Sequence, residues 1–148
     1  MIARENQVVI FHLGEPFVFE IDKCSLKISD DGLDLDVWTR PNLDCLLGHL
    51  SAPSLHIESA TVTANSLEDL KVERLDVASG WDTDAERKED NIFRIDIGQH
   101  EALNNNRVYI AQRPDSRIEI RWHSEAQNFL DFRDPDCSLE VFCFMDAR

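Results

Sequence analysis

The sequence lacks any long run of apolar residues. A membrane-spanning helix needs about 20 consecutive apolar residues, and a secretory signal peptide needs an apolar core of about 7–15 residues. Neither occurs in the 148 residues, and Glu5, Asn6 and Gln7 interrupt the first ten positions. These absences predict a soluble, cytoplasmic protein with no membrane association.

Glycine and proline are also scarce, with five of each scattered along the chain. The glycines never cluster, which argues against the glycine-rich loops that bind phosphates and dinucleotides. The sequence contains no internal repeat, no low-complexity tract and no change of composition that would mark a linker. Because a chain of this length fits one domain, we predict a single β-rich domain over residues 1–148.

Only four cysteines are present: Cys24, Cys45, Cys137 and Cys143. A domain of this size needs no disulfides for its stability, and thiols inside the cell stay reduced. We therefore expect free thiols. Cys143 alternates with apolar residues, which predicts that it is buried as a small apolar side chain.

Basic residues are few, 15 against 29 acidic residues, so the formal net charge is −14. Residues 1–74 contain 13 acidic and 6 basic side chains, and residues 75–148 contain 16 and 9, so each half carries −7. The acidity is therefore spread over the chain. Such a charge repels the phosphates of nucleic acids and attracts a basic protein; we expect the second kind of partner and not the first.

What the sequence does contain is alternation of apolar and polar residues with a period of two, which is typical of half-buried strands. The last such segment, 139–145, is apolar on both faces and predicts a central strand. The predicted fold class is all-β, an antiparallel β-sandwich or partly open barrel of about eight or nine strands. The alternative is a β-rich α+β domain with one or two short helical turns, at 42–50 and 66–70.

The first predicted hairpin turns at Asp31-Gly32, because an Asp-Gly pair suits the positive φ angles of a two-residue type I′ turn. That register pairs Leu26 with Val37 on the apolar face. It also places Lys27 opposite Asp36 on the polar face.

A second hairpin is predicted from apolar residues at even-numbered positions in both 108–110 and 118–122. Cross-strand partners share a face, so their numbers sum to an even value. The loop between them therefore has three residues, 113–115, or five, 113–117. The asparagine-containing stretch 98–106 before this hairpin is predicted to be a loop.

Candidate catalytic and metal-binding residues are sparse. The only Cys/His cluster is Cys45-x-x-x-His49 with His56 nearby, which lacks the paired Cys-x-x-Cys spacing of structural zinc sites. The sequence has no Gly-x-Ser-x-Gly elbow and no catalytic-cysteine signature. We predict no metal and no cofactor, and the absence of a catalytic constellation favours a function other than catalysis.

Surface recognition has the strongest candidate residues. The outward face of the second hairpin carries a set of basic and aromatic side chains: Arg107, Tyr109, Arg117, Arg121 and His123. Trp38, on the polar face of the first hairpin, is a sixth candidate. Arg and Tyr are favoured at protein interfaces, which indicates a binding surface. The alternative is a face neutralised by cross-strand salt bridges.

Three functional hypotheses follow from these features. The first is a non-enzymatic interaction module, and its narrower form is an inhibitor or immunity-type partner of a basic toxin, attracted by charge. The second is a small-ligand-binding or enzymatic β-barrel with a cleft lined by Trp and His. The third is a structural subunit of a homo-oligomer that associates through exposed strand edges.

Overall fold

The computed structural model describes residues 5–12, 14–42, 52–78, 80, 92–96, 100–126 and 137–146. All regular secondary structure within these residues is β-strand. The nine strands are β1 (Gln7–His12), β2 (Glu15–Ser29), β3 (Gly32–Thr39), β4 (Ser54–Ala60), β5 (Val72–Val77), β6 (Ile92–Asp96), β7 (His100–Gln112), β8 (Arg117–Ala126) and β9 (Cys137–Asp146). In the described part of the chain, no helix is long and apolar enough to cross a membrane.

Eight of the strands close into an antiparallel barrel. Going round it, β1, β2, β3, β4, β6, β7, β8 and β9 each pair with the next, and β9 pairs with β1. Strand β5 is additional and pairs with β7. The prediction of an antiparallel β-sandwich or partly open barrel of about eight or nine strands is therefore confirmed. Of these two, the structure is the barrel, and the pairing of β9 with β1 closes it.

Strands β5 and β6 lie end to end along the same edge of β7. Residues 106–111 of β7 pair with β5, and residues 100–102 pair with β6. Both β5 and β6 are antiparallel to β7, so they run in the same direction. They are joined by an insertion, residues 78–91.

Gly80 lies where this insertion passes the barrel wall. Its N–H donates to Asn104 Oδ1 at 3.2 Å, and its carbonyl accepts the Phe93 N–H at 2.8 Å. A Cβ at this position would overlap the carbonyl oxygen of Leu103 and lie 2.5 Å from that of Phe93. Only glycine lets the backbones approach this closely.

The interior of the barrel is filled by the apolar residues of the alternating pattern. Those with a relative exposure below 2% and the largest volumes are Phe19, Phe93, Ile10, Leu33, Leu35, Leu55, Ile57, Leu70, Ile95, Leu103 and Ile110. They belong to one contiguous cluster with contributions from all eight barrel strands. Burying each such side chain contributes about 1.5–3 kcal/mol, so this cluster is the main source of stability.

The prediction of a loop at 98–106 is wrong from residue 100 onwards. Strand β7 begins at His100, and its pairing with β8 shifts between Asn104 and Arg107. This irregularity is a β-bulge. Asn105 has a φ of 50°, in the left-handed region that asparagine tolerates. The three asparagines at 104–106 therefore lie within strand β7, because the bulge accommodates them in the strand.

The bulge turns Asn106 into the barrel, where the side chain is 1% exposed. Its Oδ1 accepts hydrogen bonds from Trp122 Nε1 at 3.0 Å and Ser124 Oγ at 2.7 Å. Its Nδ2 donates to the carbonyl oxygens of Leu103 at 2.7 Å and Val77 at 3.2 Å. All four hydrogen-bonding positions of the amide are satisfied, as a buried polar group requires.

The register of the first hairpin differs from the prediction by two residues. Ser29 pairs with Gly32, and Lys27 pairs with Asp34 rather than Asp36. The two turn residues are 30 and 31, and neither has a positive φ. Because the shift is even, every side chain stays on its predicted face.

Gly32 explains why the predicted turn is wrong. It has a φ of +116°, and a Cβ there would lie 2.7 Å from the carbonyl oxygen of Ala60 and 3.1 Å from that of Ser59. Gly32 is therefore needed where β4 approaches β3, one position after the turn. Glycine is therefore required at position 32 by the close approach of β4. The local Asp-Gly pattern does not reveal this long-range contact.

The second hairpin has the longer of the two predicted loops. Gln112 pairs with Ile118, which leaves residues 113–117 between them. The Arg113 N–H donates to the Arg117 carbonyl at 2.7 Å, and Ser116, with a φ of 68°, donates its N–H to the Arg113 carbonyl at 3.0 Å.

The segment between β4 and β5 packs against the core without forming a helix. The Asp69 N–H donates to the Ser66 carbonyl at 3.2 Å and to Ser66 Oγ at 3.3 Å, the contact expected of a cap. Leu70 is buried in the core cluster. The helical turn predicted at 66–70 is therefore a hydrogen-bonded turn, and the one at 42–50 lies outside the described residues except for Asn42.

Glu73 holds this segment in place. Its carboxylate is buried on the same side of the sheet as Ile110, its partner across β5 and β7. Glu73 Oε1 accepts the N–H of Thr63 at 2.9 Å, the Oγ–H of Thr63 at 2.5 Å and the N–H of Ala64 at 2.8 Å. Three donors compensate the cost of burying the carboxylate.

Candidate functional surface on the barrel exterior

Four of the six predicted binding residues line one groove on the outside of the barrel. Arg107, Tyr109, Arg121 and His123 form part of a groove of about 330 Å³ on strands β5, β7, β8 and β9. Arg117 lies near the end of the same sheet but does not line the groove. Trp38 lies on β3, on another part of the barrel.

Strand register creates the groove by aligning side chains in rows across four strands. One row is Arg74, Tyr109, Arg121 and Phe142, and the next is Asp76, Arg107, His123 and Glu140. We define the arginine–aromatic face as the following six residues: Arg74, Arg107, Tyr109, Arg121, His123 and Phe142. The alternation of the hairpin predicts its own four residues of this face. Arg74 and Phe142 could not be predicted, because strands β5 and β9 join the hairpin only in the folded sheet.

Guanidinium groups stack on the aromatic rings of this face. Arg121 Cζ lies 4.0 Å from the centroid of Phe142, and Arg74 Cζ lies 4.9 Å from that of Tyr109. Such cation–π contacts contribute about 0.5–1 kcal/mol at exposed sites. They also hold the two arginines against the aromatic rings of the sheet.

Some of the arginines are neutralised as the salt-bridge alternative expects. Glu119, whose side chain is 8% exposed, accepts from Arg121 Nε at 2.8 Å and faces Arg113 at 3.2 Å. Arg117 bonds to Asp115 at 2.9 Å. A salt-bridged network therefore forms the part of this surface next to the hairpin turn.

Arg107 and Arg74 differ from Arg113, Arg117 and Arg121, which form the ion pairs described above. Neither forms an ion pair with any residue that the structure describes, although the chain has about two acids for every base. Arg107 is exposed and lies directly across from Asp76 and His123 in the sheet. The arginine–aromatic face thus keeps two guanidinium groups available to an external anion.

Arg107 also lines a second groove of about 350 Å³. Its other lining residues include Asn105, Asn106 and Glu125, around the β7 bulge. Asp76 and Arg107 belong to both grooves. The two grooves therefore meet at Asp76 and Arg107.

His123 has an unusual environment within the face. Its Nδ1 atom is buried and has no hydrogen-bond partner among the described residues. Buried polar atoms of side chains nearly always have a partner. The described residues therefore leave one buried ring nitrogen of His123 without a hydrogen-bond partner.

A second polar cluster lies elsewhere on the exterior, around His56 on β4. His56 Nδ1 lies 2.6 Å from Asp36 Oδ1, and Nε2 lies 2.8 Å from Ser54 Oγ and 3.4 Å from Asp96 Oδ2. Trp38 packs edge-on against the imidazole at 5.9 Å between centroids. This cluster could not be predicted from the sequence, because Asp36 and Asp96 reach His56 only through the pairing of β3, β4 and β6.

The His56 cluster has the Ser–His–Asp order of hydrogen bonds found in hydrolases. However, Asp96 faces the same nitrogen as Ser54, and neither groove described above is lined by Ser54 or His56. The cluster connects three adjacent strands and buries the imidazole. We therefore assign it a role in stability.

No metal site is indicated by these residues. Cys45 and His49, the other members of the Cys/His cluster, lie outside the described residues. Within the described ranges, no group of three or more His, Cys, Asp or Glu side chains could hold a metal ion.

The barrel is a scaffold on which many unrelated functions occur, so function has to be inferred from the chemistry of a site. Comparisons with protein-family models, with curated proteins and with solved structures each found no match. The arginine–aromatic face and the groove that it lines are the features of the described surface with the chemistry of recognition.

Proposed function

We propose that this protein is a binding module that recognises another protein through the arginine–aromatic face. The observation that carries the proposal is the groove itself, in which aromatic rings lie beside the guanidinium groups of Arg74 and Arg107, two arginines with no ion pair among the described residues. Arg and Tyr are among the residues that contribute most to binding energy at interfaces. Arg107 and Tyr109 therefore have the composition and position of interface anchors.

The chemistry of the groove defines the partner segment. Arg74 and Arg107 need anionic groups, while Tyr109 and Phe142 offer apolar surface. A segment that places carboxylates next to aliphatic or aromatic side chains satisfies both requirements. Since the protein carries a net charge of −14, such a segment must be anchored by these local contacts rather than by long-range attraction.

A random-peptide display library selected on the purified protein tests this proposal. We expect enriched peptides to combine Asp or Glu with apolar residues. Their affinity for Arg107→Ala and Tyr109→Ala should fall about thirtyfold or more, as expected for interface hot spots. Lys27→Ala, which removes an exposed cation on β2, is the matched control and should bind like the wild type.

Two outcomes count against the proposal. One is enrichment of basic peptides or of peptides without acidic residues. The other is unchanged affinity for Arg107→Ala and Tyr109→Ala in variants whose thermal unfolding matches the wild type. Because Arg107 is exposed and has no ion pair with a described residue, its replacement should leave the fold intact.

A second candidate function is an inhibitor or immunity-type partner of a basic toxin. The observation that favours it is the charge of the β2–β3 hairpin, where Glu20, Asp30 and Asp31 are exposed and Asp34 is half-buried. An acidic surface accelerates association with a basic protein, and salt weakens the effect. The partner would then contact the β2–β3 hairpin and not the groove.

Titration of the isotope-labelled protein with a decalysine peptide tests the second candidate. NMR shift changes that map to the β2–β3 hairpin and weaken with added salt would support it. Shift changes confined to β7 and β8, or none at low salt, would argue against it.

A further inference from the structure

Two thiols meet at the end of the barrel where β1 begins. Strands β2 and β9 flank β1 and extend beyond its first residues. Asn6 bridges them, because its carbonyl accepts the Ile21 N–H at 3.0 Å and its Oδ1 accepts the Phe144 N–H at 3.2 Å. Past Asn6, the two strands face each other directly, and Cys24 and Cys143 come into contact.

The contact is between sulfur atoms. Cys143 donates its S–H to Cys24 Sγ at 3.4 Å, and Cys24 donates to Met145 Sδ at 3.9 Å. Cys143 is 1% exposed, whereas Cys24 is half-buried and reachable from solvent. A disulfide has an S–S length of about 2.05 Å, so the two sulfurs need to approach by about 1.4 Å, within reach of side-chain rotation.

We propose that Cys24 and Cys143 form an oxidation-sensitive dithiol, which a peroxide converts into a disulfide linking β2 to β9. The proposal concerns the barrel end and does not depend on the arginine–aromatic face. The disulfide would cross-link two strands that lie on opposite sides of β1 and are distant in sequence. Because a disulfide carries no charge, it suits the apolar surroundings of Cys143.

The reaction proceeds in two balanced steps with hydrogen peroxide as the oxidant. The thiolate of Cys24, the more accessible sulfur, attacks one peroxide oxygen; an S–O bond forms, the O–O bond breaks, and the departing hydroxide takes up a proton to become water. The Cys143 sulfur then attacks Cys24 Sγ. The S–S bond forms, the S–O bond breaks, and the hydroxyl leaves as water with the proton of Cys143.

The environment of Cys24 sets the speed of the first step. The hydrogen bond from Cys143, burial, and the charges of Cys143 and Asp36 all raise the pKa of the Cys24 thiol above its ordinary value. Since the thiolate is the nucleophile, oxidation should be slow near neutral pH and accelerate as the pH rises.

Cys137 provides an internal control at the other end of β9. It is buried, and burial raises its pKa to about 12. It pairs in the sheet with His12 and Ala126, away from Cys24. Replacing Cys137 with serine should leave the cross-link unaffected.

The test treats the full chain carrying Cys45→Ser with hydrogen peroxide. A control sample of the same protein is kept air-free without peroxide. We expect the intact mass to fall by two hydrogen atoms and a non-reducing peptide map to show one linkage, Cys24 to Cys143. Closing so long a loop should raise the melting temperature by roughly 5–10 °C. Dithiothreitol should reverse both changes.

Variants decide the outcome. Cys24→Ser should abolish the cross-link, and Cys137→Ser should retain it. A gain of oxygen atoms without cross-linking, or a linkage that involves Cys137, would overturn the proposal. Should Cys24→Ser fail to fold, the peptide map of the Cys45→Ser protein still decides between these outcomes.

Discussion

At the scale of single residues, the buried His56 depends on partners from neighbouring strands. Asp36→Ala should leave His56 Nδ1 without its 2.6 Å partner. An unsatisfied buried donor or acceptor costs about 1–3 kcal/mol, which chemical denaturation would measure. Asp22→Ala is the control, because its ion pair with Arg40 is 57–65% exposed and worth about 0–1 kcal/mol. Equal losses in the two variants would contradict a stabilising role for the His56 cluster.

Asn106 is a second residue whose role is stabilisation. Asn106→Leu removes the acceptor of Trp122 Nε1 and Ser124 Oγ, and it leaves the Leu103 carbonyl without one of its donors. We expect a loss of about 3 kcal/mol or more in the free energy of unfolding. Asn105→Gly, which relieves a φ of 50°, should change stability by less than about 1 kcal/mol. A loss for Asn106→Leu as small as that of Asn105→Gly would refute the prediction.

Asp115, in the turn between β7 and β8, is expected to show a pH-dependent effect. The hydrogen bonds from the backbone and side chain of Arg117 hold the pKa of Asp115 below its ordinary value of 3.8. The contribution of Asp115 is therefore fully present above its unfolded-state pKa and is lost as the pH falls through the lower folded-state value. NMR titration should show this depressed pKa. Thermal unfolding of Asp115→Asn should lack the corresponding loss of stability at acidic pH, and an identical pH profile in both proteins would exclude the effect.

At the scale of elements, the most constrained connection is the passage from β5 to β6. Gly80→Ala would force a Cβ against the carbonyl oxygens of Leu103 and Phe93. We expect a loss of more than about 3 kcal/mol, or failure to fold. Gly14→Ala is the matched control: its φ is +80° but a Cβ meets nothing within 4 Å, so its cost should be about 1–2 kcal/mol. Similar unfolding midpoints for the two variants would show that the passage tolerates a side chain.

For the individual strands, the sequence predicted which side chains point inward or outward better than it predicted which residues pair across strands. The even-numbered apolar positions of 108–110 and 118–122 do face inward, and the loop has one of the two predicted lengths. The register of the first hairpin was wrong by two residues and its turn by one, because Gly32 is required by β4 and not by the turn. Alternation is a local signal, whereas register depends on strands that arrive from elsewhere in the chain.

At the scale of the whole molecule, the net charge of −14 should destabilise the compact state through self-repulsion. Adding sodium chloride screens this repulsion. It weakens the exposed ion pairs as well, but these contribute little individually. We therefore expect the melting temperature to rise by a few degrees between low and physiological salt, as measured by differential scanning fluorimetry. A fall in melting temperature would indicate that the ion pairs outweigh the repulsion.

Closure of the barrel also bears on self-association. Pairing of β9 with β1 leaves no edge in the eight-stranded wall, while β5 stands at the end of the sheet order with β7 as its partner. Val72 on β5 is 50% exposed. Among the described strands, β5 is therefore the edge through which a homo-oligomer would form, and the oligomer hypothesis stays a prediction.

By itself, the sequence determined the β-rich class, the inward and outward faces of the strands and the outward position of Arg107, Tyr109, Arg121 and His123. These follow from the two-residue period of a strand, in which successive side chains point to opposite faces. Only the tertiary structure decided the closure by β1 and β9, the joining of Arg74 and Phe142 to the hairpin, and the contact of Cys24 with Cys143. Each of these brings together residues far apart in sequence, and such pairings depend on how the strands assemble around a common core, not on the order of residues within any one strand.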